Sequence, residues 1–110
     1  MAFNNIGNNS LKITSFFLVI LGEHDDNRIN TMVGRMNSLG KCVQIMERTY
    51  ILTTIGDNVV TTSELRSKVS GENSYIILVF KLDVDSAAAW CLKTDNSNYL
   101  KSVFDELKEI

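Results

Sequence analysis

Two stretches of the chain are apolar at every position, and the remaining pattern is arranged around them. Residues 16–21 read Phe-Phe-Leu-Val-Ile-Leu and stop at Gly22, and residues 75–80 read Tyr-Ile-Ile-Leu-Val-Phe. Six residues are too few to span a bilayer, and their aromatic and β-branched content favours strands. Because alternate side chains of a strand point to opposite faces, both faces of each strand are predicted to be buried.

Three segments have the spacing of amphipathic helices. In residues 27–38 apolar side chains recur every three or four positions, and Gly40 follows where a left-handed residue commonly ends a helix. Thr61 and Glu64 have capping-box spacing and begin a short helix that ends near Ser70. The last segment, residues 97–110, has one apolar face made of Tyr99, Leu100, Val103, Phe104, Leu107 and Ile110.

The β-rich segment between the first two helices is too long for one strand. It divides near Glu47-Arg48 into strands at Lys41–Met46 and Thr49–Thr54, which are joined tightly and are therefore antiparallel. The order β-α-β-β-α-β predicts an α+β, ferredoxin-like βαββαβ fold with a four-stranded antiparallel sheet and an added C-terminal helix. Residues 1–14 are expected to be a weakly ordered arm, and residues 15–110 a single ferredoxin-like domain with its C-terminal helix at 97–110. Residues 86–92 fit either a helical turn or an extended edge.

This fold leaves one face of the sheet without cover. Both helices of the repeat pack on one face, whereas strands 16–21 and 75–80 are apolar on both. We expect a homodimer that buries Phe16, Leu18 and Ile20 across a two-fold axis. The competing arrangement places the C-terminal helix over the same face of its own chain.

Composition is that of one globular domain. The chain has 110 residues, 45% apolar and 22% charged, with 11 basic and 13 acidic side chains and a net charge of −2. No basic run is present, so the charge does not support binding to nucleic acid, although that partner and a protein partner both stay open. The absence of a signal-peptide pattern and of clustered cysteines predicts a reduced, cytoplasmic protein with no membrane segment.

The densest set of ligand-type side chains is Glu23-His24-Asp25-Asp26, which contains the only histidine. Carboxylates and an imidazole in a strand-to-helix loop are the candidates if a divalent cation binds. Consecutive residues do not all converge on one point, however, and acids before a helix are favoured by its dipole. The preferred interpretation is structural, with no metal and no cofactor.

Other chemistry-bearing residues also have ordinary structural interpretations. Cys42 and Cys91 lack a basic neighbour that would activate a thiolate, and we interpret them as small buried residues. Asp83 and Asp85 are interpreted as turn residues. Arg28 and Arg35, seven positions apart on one flank of the first helix, would reach a phosphate backbone if nucleic acid binds, but are interpreted as a solvated helix edge.

Residues 15 to 83 resemble the small ferredoxin-fold family that contains the CRISPR-associated Cas2 proteins, the VapD-type toxins and the SinR-like proteins. The resemblance rests on the strand, acidic loop, helix and closing glycine between Leu21 and Gly40, on the hairpin at residues 43–52, and on the short helix before a hydrophobic strand. It implies a non-catalytic interaction or regulatory protein. Nuclease members carry an Asp at the end of the first strand, where this chain has Leu21-Gly22. The alternative is an Mg²⁺- or Mn²⁺-dependent endonuclease acting on RNA or DNA through Glu23 and Asp25.

Overall fold

The protein has an α+β fold, and its computed structural model describes residues 14–56, 59, 61–83 and 85–109. The elements in chain order are β1 (Thr14–Leu21), α1 (Asp26–Leu39), β2 (Lys41–Met46), β3 (Thr49–Ile55), α2 (Thr62–Ser70), a 3-10 turn (Gly71–Asn73), β4 (Ile77–Leu82) and α3 (Thr94–Glu109). The strands form one antiparallel sheet in the order β2-β3-β1-β4. The predicted class and the four-stranded antiparallel sheet are confirmed.

Most element boundaries follow the local pattern. The first helix and the hairpin agree with prediction to within one residue, and the turn of the hairpin passes through Arg48 with a φ of 55°. The Glu64 amide donates to Thr61 Oγ1 at 3.1 Å, as the capping-box spacing predicts. Residues 1–13 of the predicted arm lie outside the described residues, while Thr14 already belongs to β1.

Two boundaries differ from prediction. β4 occupies residues 77–82 and not 75–80, because the amide and carbonyl of Ile76 bond to the loop after β1 before the regular ladder begins. α3 begins at Thr94, three residues before the predicted start. Residues 86–92, which were open between helix and strand, have neither kind of regular structure.

Gly40 ends α1 in a conformation other than the predicted one. Its φ of 172° is extended backbone rather than left-handed, and its amide donates to the Met36 carbonyl at 3.2 Å. A Cβ at this position would overlap the carbonyl oxygen of Thr53 on β3. Glycine is therefore required by the close approach of two backbones, and not by an unusual φ.

One face of the sheet carries the larger core, beneath α1 and α2. The inward side chains of β1 there are Phe17, Val19 and Leu21, all at most 1% exposed. Met32 and Met36 on α1 are fully buried against them, so both methionines are core residues. The remaining buried members of this cluster are Tyr50, Leu52, Val59, Leu65 and Val69.

The opposite face carries a second core beneath α3. Phe16 on β1 and Ile51 on β3 are 2% and 1% exposed, and they cluster with Ile45, Leu100, Val103 and Leu107. The predicted apolar stripe of the C-terminal helix therefore covers part of the second face within the same chain. Among the described helices, none combines the length and hydropathy needed to cross a membrane.

Candidate functional site

Glu23 is buried and makes two bonds to protein donors. Its Oε2 accepts from the Ile76 amide at 2.6 Å, and its Oε1 accepts from Arg28 Nη1 at 3.1 Å. The bond from the Ile76 amide, followed by that from Arg28, lowers the pKa of Glu23 below its usual range. The carboxylate is thus held as an anion that joins the loop after β1 to the start of β4.

The other acidic-loop residues point elsewhere. Asp25 is the N-cap of α1, with its Oδ1 accepting from the Arg28 amide at 3.1 Å, and Asp26 lies in the first helical turn. His24 is exposed. Within the described part of the chain, no three His, Cys, Asp or Glu side chains are grouped so as to hold a metal ion. The four candidates are adjacent in sequence, but the structure does not bring them to one point.

The two arginines on the flank of α1 share a partner. The guanidinium carbons of Arg28 and Arg35 lie 5.8 and 5.9 Å from the centre of the Tyr75 ring. Arg35 Nη1 also donates to the Val69 carbonyl at 2.8 Å. The pair therefore fastens α1 to the segments before and after the 3-10 turn, while the Arg28 side chain stays 56% exposed, as expected of a solvated helix edge.

The cysteines have different environments, and the prediction that both are buried is wrong for Cys91. Cys91 is exposed in the irregular segment before α3, whereas Cys42 is about half buried in the sheet. Burial raises the pKa of the Cys42 thiol to about 11. The Cys42 thiol therefore lacks the low pKa that a nucleophile needs.

Asp83 organises the turn that leaves β4. Its carboxylate accepts from the Asp85 amide at 2.9 Å, and the Ser86 amide donates to the Asp83 carbonyl at 3.0 Å. These are the bonds of an Asx-type turn, so the turn interpretation of this pair is confirmed.

The second face of the sheet remains open toward β4. Leu78 and Phe80 are 51% and 49% exposed, and they lie directly across from Ile20 and Leu18 of β1 on the face that α3 only partly covers. Of the residues predicted at a dimer interface, Phe16 is buried under α3, whereas Leu18 and Ile20 are only partly buried. The exposed apolar surface thus lies at one edge of the sheet and not, as predicted, at its middle.

The two edges of the sheet are protected unequally. β2 has an irregularity between Gln44 and Met46, and Asn96 on α3 donates to the Ile45 carbonyl at 3.1 Å, so this edge is both bent and capped. β4 is the other edge, and no strand of the described chain pairs with its outer side. An uncapped edge beside exposed apolar side chains is a template for another strand.

An apolar cleft lies beside this open region, between the sheet and α3. Residues 88–92 close its third side, and Trp90 stacks on Phe104 with ring centres 5.7 Å apart while its Nε1 donates to Ser97 Oγ at 3.1 Å. The cleft has a volume of about 380 Å³. Sequence reasoning left residues 86–92 unassigned and missed their role, although the apolar run from Ala87 to Leu92 was a signal.

The structure therefore offers two surfaces outside the predicted acidic loop: the open edge at β4 and the cleft under Trp90. Neither contains a residue that the sequence pattern marked for catalysis. No protein-family model, no curated protein and no solved structure matches this chain.

Proposed function

We propose that the protein is a non-catalytic interaction module whose working unit is a homodimer, built on a ferredoxin-like βαββαβ arrangement similar to the Cas2/SinR-like scaffold. Two observations support the arrangement: the element order β1-α1-β2-β3-α2-β4, and a strand order in which β1 lies between β3 and β4 with antiparallel neighbours. A scaffold does not define an activity, so the functional part of the proposal rests on surfaces.

The open β4 edge carries the proposal. Leu78 and Phe80 are half exposed along it, and Ile76, next in the same row, is 65% exposed. Together they present on the order of 300 Å² of apolar surface, the size of a functional patch on a typical monomer. A partner strand added there would cover these side chains and also bond to the outer side of β4.

A second copy of β4 fits this edge geometrically. The Ile76 carbonyl accepts from the Gly22 amide on the β1 side, so by alternation the backbone groups of Ile77, Val79 and Lys81 point away from β1. A two-fold axis at Val79 pairs each outward residue with an outward residue of the partner copy. The same axis sets Leu78 opposite Phe80 of the other copy and keeps the two Lys81 side chains apart.

The expected dimer is weak. Stable interfaces bury about 800 Å² on each partner, and the exposed side chains of Ile76, Leu78 and Phe80 supply less than half of that area. Strand-to-strand hydrogen bonds and the neighbouring Ile20 and Trp90 side chains add to it. We therefore expect dissociation in the micromolar range, with a dimer at tens of micromolar.

Sedimentation of wild type and two matched variants tests the assembly. Leu78→Lys places a charge in the proposed interface and should give a monomer. Ile55→Lys is the control, since Ile55 is 52% exposed, almost the same as Leu78, but lies at the far end of β3. A wild type that is monomeric at these concentrations, or a Leu78→Lys protein that dimerises as well as the control, would contradict the proposal.

The non-catalytic part is tested separately. Glu23 and Asp25, the residues of the nuclease alternative, already bond to the Ile76 and Arg28 amides. We expect no cleavage of single- or double-stranded RNA or DNA in Mg²⁺ or Mn²⁺. Cleavage that Glu23→Ala or Asp25→Ala abolishes, in variants that remain folded by circular dichroism, would establish the nuclease instead.

A further inference from the structure

The cleft beneath Trp90 is built almost wholly of apolar side chains. Leu18 and Ile20 form its floor, Phe104 and Trp90 form one wall, and Thr49 is its single hydroxyl residue. Thr49 Oγ1 already donates to the Glu47 carbonyl at 3.1 Å, and the Trp90 indole N–H donates to Ser97 Oγ at 3.1 Å. An occupant of this cleft consequently needs a hydrocarbon body and no polar group inside it.

A second, polar cleft continues from the first. It shares Ile45, Met46, Cys91 and Leu92 with the apolar cleft, and has a volume of about 530 Å³. Lys93 and Asn96 enter its lining, together with Gln44 and Glu47.

The charged side chains that line the polar cleft favour the binding of an anion. The Glu47 carboxylate is paired with Arg48 at 2.9 Å, whereas Lys93 has no ion-pair partner among the residues that the structure describes. Lys93 therefore leaves one positive charge at the mouth of an apolar cleft.

We propose that the joined clefts bind a medium-chain carboxylic acid, with the hydrocarbon chain against Leu18, Ile20 and Trp90 and the carboxylate toward Lys93. The apolar volume of about 380 Å³ is about a dozen times the roughly 30 Å³ that one water molecule occupies in the liquid, so the cleft suits a medium-length hydrocarbon chain. A protein segment is a poorer fit, since the space takes only one or two large side chains. This inference does not require dimerisation through β4, although Ile20 and Trp90 lie at both surfaces.

Two probes are already in place for a direct test. Trp90 is the only tryptophan of the chain, and Cys91 is an exposed thiol at the junction of the two clefts. Titration of the intact protein with octanoate, decanoate and dodecanoate should change the Trp90 emission and slow alkylation of Cys91. Each added methylene should tighten binding about fourfold, the equivalent of 0.8 kcal/mol, until the cleft is full.

Variants separate the two parts of the site. Ile20→Phe fills the cleft and should weaken decanoate binding at least tenfold, whereas Ile55→Phe makes the same change at an exposed position outside it and should bind as wild type. Decanol should bind more weakly than decanoate to wild type, and Lys93→Gln should remove that difference. If Ile20→Phe does not fold, Ala89→Phe makes the same test from the irregular segment.

Three results would overturn the proposal. The first is no change in Trp90 emission or in Cys91 alkylation with dodecanoate. The second is equal decanoate affinity in wild type and the cleft-filling variant. The third, decanol binding as tightly as decanoate, would reject a carboxylic acid as the occupant.

Discussion

The Glu23 carboxylate accepts a hydrogen bond of 2.6 Å from the amide of Ile76, a residue 53 positions away. One position earlier, the Gly22 amide donates to the Ile76 carbonyl at 2.9 Å. Together these bonds extend the β1–β4 pairing beyond the regular ladder and place the acidic loop beside the start of β4. The Glu23 carboxylate is thus a structural anchor between these two segments.

Removing the Glu23 charge should make the stability of the fold less sensitive to low pH. The folded-state pKa of Glu23 is lowered, so its contribution is complete above the ordinary glutamate pKa of about 4.3 and is lost as pH falls through the lower folded value. Glu23→Gln keeps an acceptor for the Ile76 amide but no charge. We expect its denaturation midpoint to fall less than that of wild type as the pH is lowered from about 5 into the acid range.

The same pH series on Asp25→Asn provides the comparison, because Asn remains a good N-cap for α1. Parallel curves for wild type and Glu23→Gln would mean that the Glu23 bonds do not persist in solution.

Replacing each of two glycines, one within α1 and one at its C-terminal end, by alanine should change the free energy of unfolding in opposite directions. Gly40→Ala forces a Cβ against the Thr53 carbonyl and should lower the free energy of unfolding by about 1–3 kcal/mol. Gly34 lies inside the helix, and a Cβ added there would meet no atom within 4 Å, so Gly34→Ala should raise the free energy of unfolding by about 0.5–1 kcal/mol. Urea denaturation measures both, and a neutral Gly40→Ala would show that α1 and β3 lie farther apart.

Shortening a buried side chain on the apolar face of α3 should destabilise the whole domain. Leu100 is 7% exposed and packs in the second core, so Leu100→Ala should cost about 2–5 kcal/mol. Lys101→Ala, at the exposed neighbouring position, should change stability by less than about 0.5 kcal/mol.

Deleting residues 94–110 should uncover Phe16 and Ile51 and cause aggregation. A soluble, unchanged oligomer after that deletion would mean that another surface covers this core.

The two thiols should differ in their alkylation by iodoacetamide. Cys91 is exposed and should react fully at pH 8, whereas Cys42, with a pKa of about 11 and half buried, should react only as the pH approaches that value or after unfolding. Mass spectrometry of the modified peptides distinguishes the two sites. Equal rates at pH 8 would contradict the burial of Cys42 within the sheet.

The sequence alone determined the elements that local spacing specifies. Three such patterns are the three-to-four spacing of Met32 and Met36 with their neighbours, the Thr61–Glu64 pair and the doubly apolar residues 16–21. Each pattern involves only residues that are a few positions apart in the chain. Their physical effects are hydrogen bonds and burial along one element, so α1, α2, the hairpin and β1 were predictable, as was the α+β class. The structural interpretation of Asp25 and Asp83 followed from the same local chemistry.

Only the tertiary structure decided which surfaces meet. An apolar stripe on residues 97–110 shows that the helix must be covered, but it does not say whether its own sheet or a second copy provides the cover, because burial of apolar area is not directional. The long-range partners of Glu23 and Gly40, at Ile76 and Thr53, leave no periodic signal in the chain. The open β4 edge likewise exists only once strand order and the exact position of α3 are known, since both depend on contacts between residues far apart in sequence.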